Sequence, residues 1–399
     1  MSSEANIIAI VIDNKRTYIR LDTFRNLFES SHIYYKKEYQ NALQNGSMKF
    51  KILQKLAREA NIPYSLFFAP NDYVENEIER NNTELFKGVD SGVISMSGRG
   101  SVETRDIGLI IKDILKRQIL LNKEYPNIDQ NTIKDSLRSA TGDILQQAQK
   151  LISIIDFDLD EFRSFQGKEK AYDYLVNLFE KHNILVSRSR IGAMPQSINK
   201  EVTFSGVTVK HKKFPSIFLY SKDETMVGDP TGRRIFTLLL LLVCIAKGKY
   251  SIVSYNSRSE EIIEADEYRI VEEILVPSSE VEGLAISKIQ EIRELSDTWK
   301  VTPRAALVIL RRNGCIEKDN YNEIYEQLDD AYLESKSSGK SHPWTSKDTT
   351  KVKTYCGIEF TKKAFELHDM GRLSEGDLRR LLLFNKKPRK FLGDLRDTL

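Results

Sequence analysis

The stretch Arg233-Arg234-Ile235-Phe236-Thr237-Leu238-Leu239-Leu240-Leu241-Leu242-Val243-Cys244-Ile245-Ala246 decides how this chain is read. From Ile235 onward it carries no charge and one hydroxyl, so apolar side chains surround the helix on every side. Such a helix is enclosed by neighbouring protein or by lipid. The run is too short for lipid, because crossing a bilayer takes about 20 residues. It is therefore expected as a core helix. The turn-forming run Gly228-Asp229-Pro230-Thr231-Gly232 feeds it.

Working outward, short apolar runs at Ile184–Ser187, Val202–Phe204, Gly206–Val209 and Ser216–Tyr220 read as strands. Amphipathic periodicity predicts helices over Ile107–Asn122, Asp129–Ser139, Ile144–Ile155 and Lys168–His182 before the core helix. After it come Glu264–Val276, Ser287–Thr298, Pro303–Arg312, Tyr321–Lys336, Phe360–Met370 and Glu375–Leu383. At the amino end, Ile7–Arg20 alternates loosely, as a short strand or hairpin does. The pattern is helical from Leu21 to Phe68, with Gly46 as punctuation. A polar, Asn-rich stretch (Asn71–Asn82) leads into a Gly/Ser stretch from Gly88 to Ser101, the first boundary, and Ser337–His342 reads as a polar hinge. The expected fold class is α+β and mostly helical. A helical head spans 1–88 and a linker with a bridging helix spans 89–135. A core with a small sheet packed on a buried helix spans 136–315, and a helical tail spans 316–399.

With 399 residues, 40% hydrophobic and 29% charged, the chain is an ordinary globular protein of more than one domain. A net charge of +3 creates no global field that demands a nucleic acid. Arg188/Arg190, His211-Lys212-Lys213, Arg233-Arg234, Arg311-Arg312 and Lys386-Lys387-Pro388-Arg389-Lys390 are basic clusters that read as solvated surface. Cys244, Cys315 and Cys356 are odd in number and widely spaced, which points away from a disulfide framework and toward a reducing, cytoplasmic location. Met1–Asn6 lacks the start of a secretion signal, and no membrane partner is expected. The histidines, His32, His182, His211, His342 and His368, stand at no metal or catalytic spacing. Asp156, Asp158, Asp160 and Glu161 resemble half a calcium loop without its central Gly, and read instead as a solvated helix start.

Several short motifs occur in a telling order. They are Tyr39-Gln-Asn-Ala-Leu-Gln-Asn-Gly46, Ile52-Leu-Gln-Lys-Leu-Ala57 and Asn61-Ile-Pro63-Tyr-Ser-Leu-Phe67, then Arg105–Gln118, then Phe179-Glu-Lys-His-Asn-Ile-Leu-Val186 with Gly206-Val207 and Phe214-Pro215-Ser216-Ile217. Next come Arg234-Ile-Phe236-Thr237-Leu238, Ile274-Leu275-Val276-Pro277 and the helix-turn-helix-like Ile289–Leu310, with Cys356-Gly357 through Leu395 closing the chain. Over most of its length this layout resembles the ImmA/IrrE-like family, intracellular metallopeptidase-fold proteins that often follow an xre-type helix-turn-helix. The resemblance implies an xre-like head and a zincin-like core.

It also implies a zinc site, and there the chain departs from the pattern. In such a helix two His four residues apart hold the metal and a Glu beside the first activates water. The first ligand position is Leu240, the base is Leu241 and the second ligand is Cys244. Asp266 or Glu267 falls near the acidic third ligand. Leucine offers neither a lone pair nor proton chemistry, so hydrolysis lacks its ligands and its base. No catalytic residue, metal or cofactor is expected, and Cys244 is expected as a small buried hydrophobe. The former cleft can still bind a peptide if its strand edge is open, since main-chain pairing needs no catalytic residue.

In the head, the segment Ile33–Asn45 carries Lys36, Lys37, Gln40, Asn41 and Gln44, side chains suited to phosphates and base edges. Its three tyrosines equally suit docking on a protein. The expected function is a catalytically inactive regulator of a phage, mobile-element, defence or toxin–antitoxin locus. It would bind a protein encoded nearby, a toxin or a repressor. The alternatives are an active metallopeptidase with atypical ligands (Cys244, Asp266, Glu267) that cleaves a repressor or antitoxin, and a helix-turn-helix repressor that binds DNA.

Overall fold

The structure is a computed structural model that describes residues 6–86, 94–95, 102–140, 142–199, 201–202, 204–220, 231–250, 252–254, 265–338, 347–384 and 387–399. The turn residues Gly228–Pro230, most of the Gly88–Ser101 boundary, residues 339–342 of the hinge and Lys386 lie outside these. The fold is α+β and mostly helical, with two small mixed sheets. It divides into two compact units. The first comprises 1–91, 100–116 and 194–203, and the second 92–99, 117–193 and 204–399.

In the first unit, β1 (Ile7–Ile12) and β2 (Lys15–Arg20) form a hairpin. Asp13 and Asn14 both sit at positive φ, 46° and 64°, as a two-residue turn of the type that matches strand twist requires. Helices α1 (Leu21–Glu29) and α2 (Lys37–Asn45) follow; α2 stops at Gly46 in the left-handed region. The next three residues, β3 (Ser47–Lys49), pair in parallel with β1 before α3 (Phe50–Glu59) begins. The helical pattern read from Leu21 to Phe68 is thus interrupted by a strand too short to show a period. A 3₁₀ turn, Tyr64–Phe68, supplies Phe67, whose ring centroid lies 6.1 Å from that of Phe24 and 4.6 Å from that of Phe28; those two rings pack in turn on Tyr39, at 5.6 and 5.4 Å. The Asn-rich stretch is helical, as α4 (Asn71–Phe86).

The second unit takes β4 (Ile94–Ser95) and the final turns of α5 (Thr104–Glu124). It continues with α6 (Ile144–Ile155), α7 (Leu159–Ser164), α8 (Lys168–Lys181), β5 (Leu185–Arg188), β6 (Gly206–Val209), β7 (Ser216–Leu219), α9 (Thr231–Ala246) and β8 (Ile252–Ser254). Then come α10 (Asp266–Leu275), α11 (Ser278–Val281), α12 (Ile289–Thr298), α13 (Pro303–Arg312), α14 (Lys318–Ser338), α15 (Asp348–Cys356), α16 (Ile358–Asp369), α17 (Glu375–Leu383) and α18 (Phe391–Arg396). The sheet order is β4-β8-β6-β7-β5; β5 runs parallel to β7, and β6 is antiparallel to both β7 and β8. The central helix α9 packs on β6, β7, α8 and α10. Its approach to β6 is close enough that a Cβ on Gly206 would lie 2.6 Å from Leu241 Cδ1 and 2.8 Å from the Phe218 carbonyl oxygen.

Two sequence expectations fail here for identifiable reasons. Asp129–Ser139 is a series of turns, not a helix. Asn131 Oδ1 accepts from the backbone of Ile133 and Lys134, and Asp135 adopts a φ of 61°. The freed N–H groups of Asp135 and Leu137 donate to the carbonyls of Ile245 and Ala246, satisfying the carboxyl end of α9. Val202 and Phe204 belong to no strand, and Thr203 lies outside the described residues. Asp158 caps α7 by accepting from the Glu161 backbone at 2.8 Å, the solvated helix start the acidic run suggests. The tail is fixed by Arg117, 1% exposed. Its guanidinium lies 4.6 Å from the Tyr355 ring centroid and donates to the carbonyls of Tyr355 and Cys356.

Candidate functional site

The candidate site lies at the middle of α9. Leu240, Leu241 and Cys244 are 2%, 0% and 0% exposed. The helix is enclosed on every side, as its composition demands. Among the described residues, the surrounding side chains leave these three positions almost no surface to water. The physical reason lies in the leucines: side chains with no polar atom gain by closing the gap that metal ligands would need open.

Of the two acidic candidates, the fold brings Glu267 to the site and leaves Asp266 outside. Glu267 is 4% exposed on the inner face of α10, and its charge acts on the Cys244 thiol. Burial first, and then the Glu267 carboxylate, push that thiol up to about 12. Asp266 is exposed at the start of α10, with Lys247 Nζ 3.3 Å away. The Glu267 carboxylate is held by Lys249 Nζ at 2.5 Å and faces Lys247 Nζ at 3.8 Å. Both lysines come from the turn that ends α9. The buried carboxylate therefore keeps a positive partner without a metal.

A zinc ion does not fit this set. Leu240 has no donor atom and Leu241 no proton acceptor, the Cys244 thiol is held in its protonated form, and the Glu267 carboxylate already has a lysine. Among the described residues no group of three or more His, Cys, Asp or Glu side chains is placed to hold a metal ion. Sequence reasoning missed Lys247 and Lys249. Their signal was the Lys-Gly-Lys run directly after the apolar helix, which places two cations at a helix carboxyl end.

A cavity of about 440 Å³ opens at the amino end of α9, lined by Gly167, Lys168, Glu169, Thr231, Asp297 and Lys300. Leu240 lies about 13 Å further along the helix, at 1.5 Å per residue. The charges around this cavity are matched internally. Lys168 Nζ is 2.7 Å from Asp297, Lys300 Nζ donates to the Phe165 carbonyl at 2.9 Å, and Arg234 is 2.5 Å from Glu169.

In the head, Lys37, Gln40, Asn41 and Gln44 lie on the exposed side of α2 at helical spacing. Lys36 is instead paired with Glu59, and Gln40 Nε2 donates to the Tyr34 carbonyl at 2.6 Å. The three tyrosines are used inside the unit. Tyr39 is core, and Tyr34 lies beneath Arg105, 4.3 Å from its guanidinium carbon, with its hydroxyl donating to Asp106. The Tyr35 hydroxyl donates to Ser197 Oγ at 2.8 Å. Of the three, only Tyr39 is withdrawn from the surface; Tyr34 and Tyr35 stay partly exposed. The basic tail is similarly paired: Lys387 with Asp348, and Arg389 with Glu375 at 2.5 Å.

No helix among the described residues is long and apolar enough to cross a membrane. No family model, curated protein or solved structure matches the chain.

Proposed function

We propose that this protein is a catalytically inactive, ImmA/IrrE-like regulator that acts by binding a protein partner encoded beside it, a toxin or a repressor, in a phage, mobile-element or defence locus. The single observation that supports the loss of catalysis is the burial of an apolar core at the positions that the resemblance aligns with a zinc site. Leu240, Leu241 and Cys244 are packed without solvent, and Glu267 is neutralised by Lys249. A hydrolytic zinc site needs three ligands, an open position and a base. The family context rests on the order and spacing of the motifs from Tyr39 to Leu395.

The experiment is elemental analysis of the purified chain and of Cys244→Ala, together with affinity capture from the native host. The expected result is no stoichiometric zinc in either protein, and a stable complex, insensitive to chelators, with the product of a neighbouring gene. Stoichiometric zinc that disappears in Cys244→Ala would establish the atypical metallopeptidase instead. A second reading, a DNA-binding repressor, is favoured by the exposed row Lys37, Gln40, Asn41 and Gln44. A mobility shift on the upstream region of its own gene, lost in Lys37→Ala/Gln40→Ala, supports it; no shift at low salt eliminates it.

A further inference from the structure

The three-stranded sheet of the first unit has two faces of opposite chemistry. Residues paired across strands project to the same side. Ile8 opposite Ile19, and Ile10 opposite Met48, place four apolar side chains on one side, all buried in the core. The other side carries Ile7 opposite Arg20, Tyr18 and Ser47 flanking Ala9, and Arg16 and Lys49 flanking Val11. Tyr18 is 57% exposed, and Arg16, Arg20 and Lys49 are exposed as well. Among the described strand residues, no acidic side chain projects from this side of the sheet. Asp22, at the start of α1, is 3.4 Å from Arg20, but both side chains face water, where such a pair contributes little.

Charges on an edge strand guard against unwanted strand pairing. That purpose accounts for the arginines and leaves the tyrosine unexplained. On β2 the ring stands between Arg16 and Arg20, each about 7 Å away along the strand, with Lys49 two strands over, about 10 Å across. An open aromatic face flanked by cations on either side matches a base stacked on the ring with phosphates running past it. The geometry points to this sheet face as a binding surface for single-stranded nucleic acid: Tyr18 stacks a base, and Arg16, Arg20 and Lys49 hold the adjoining phosphates. A duplex keeps its bases stacked internally and gives Tyr18 nothing. An acidic protein surface would use the cations without the ring. The surface shares no residue with α9 or with the exposed row of α2, so it stands or falls apart from both functional readings.

The test is fluorescence anisotropy of the full chain with a labelled oligo-dT of about 15 nucleotides, a length within the usual site sizes. At about 50 mM salt the expected Kd is on the order of 10⁻⁵ M. Tyr18→Ala weakens binding about tenfold while Tyr18→Phe, which keeps the ring, stays within about twofold. Arg16→Ala/Lys49→Ala flattens the slope of log K against log salt by about 1.4, at about 0.7 for each phosphate on a single strand. Circular dichroism melts confirm that each variant is folded. Any one of four results overturns the proposal: no binding at low salt, an abasic strand or a duplex bound as tightly as oligo-dT, equal competition by polyglutamate, or loss of binding in Lys37→Ala/Gln40→Ala with none in Tyr18→Ala. The abasic-strand comparison decides the question even if a variant fails to fold.

Discussion

Two buried ionisable groups show what this fold does to individual residues. Cys244 has its thiol pushed up to about 12 by burial and by Glu267. It is neither a nucleophile nor a ready ligand at neutral pH, since the thiolate is the reactive form. Native protein at pH 8 is expected to resist iodoacetamide at Cys244, with labelling appearing only on unfolding; mass spectrometry before and after adding denaturant reads this directly. Glu180, on α8, is a stronger case. Its carboxylate accepts from the Glu359 backbone at 3.2 Å, at the start of α16, and a Cβ on Gly357 would lie 2.6 Å from it. Burial raises it to about 7 from an ordinary 4.5, with the Glu359 charge adding to the rise and the backbone donors opposing it. The folded state therefore holds a proton that the unfolded state releases between pH 4.5 and pH 7. This residue's contribution to stability is full below pH 4.5 and is lost as pH rises through 7. The loss amounts to about 3 kcal/mol, at about 1.4 kcal/mol per pH unit. Urea melts of Glu180→Gln should be less steeply pH-dependent over that window, and the variant more stable than the parent at pH 8. Parallel pH profiles would contradict the assignment.

At the scale of the element, α9 is specified by contact on every side. Gly206 lets Leu241 reach the sheet, so Gly206→Ala forces Leu241 or the Phe218 backbone to move. A cost of about 1–3 kcal/mol is expected from overpacking, read as a lower denaturation midpoint with unchanged slope. Rebuilding the peptidase motif is the sharper experiment. Leu240→His, Leu241→Glu and Cys244→His together put three polar groups into a closed core, each at about 1–3 kcal/mol when left unpaired. Since domains are stable by only about 5–15 kcal/mol, the triple variant is expected to fold poorly and to stay poorly folded with added zinc. A triple variant rescued to parental stability by zinc would mean that the ligand geometry survives.

For the whole molecule, the same reasoning predicts that no structural metal supports the core. Thermal unfolding with and without a strong chelator should give the same Tm, because a metal bound only by the native state would add stability in proportion to its affinity. A Tm lowered by chelation would require a site built from residues other than those of α9 and α10. The division into two units also bears on how variants are read. The β1–β2–β3 sheet belongs to one unit and α9 to the other, so the effects of substitutions in them on stability are expected to add.

What the sequence determined by itself was whatever repeats with a period or stops at a punctuating residue. Helices such as Pro303–Arg312 and Glu375–Leu383 fall at their expected bounds because a Thr or Ser cap and a strong apolar stripe mark them. The enclosure of α9 was legible too, since a helix apolar on every side has no face to give to water. What only the tertiary structure decided was everything without a period. The turns at Asp129–Ser139 exist to satisfy the end of α9, and β3 is too short to alternate. The choice of Glu267 over Asp266 depends on which side of α10 meets α9, a matter of packing between segments that local spacing does not encode. The lysines that neutralise Glu267 and the exposed face around Tyr18 became visible for the same reason. Chemistry at a site depends on which side chains long-range folding brings together, and sequence distance carries no measure of that.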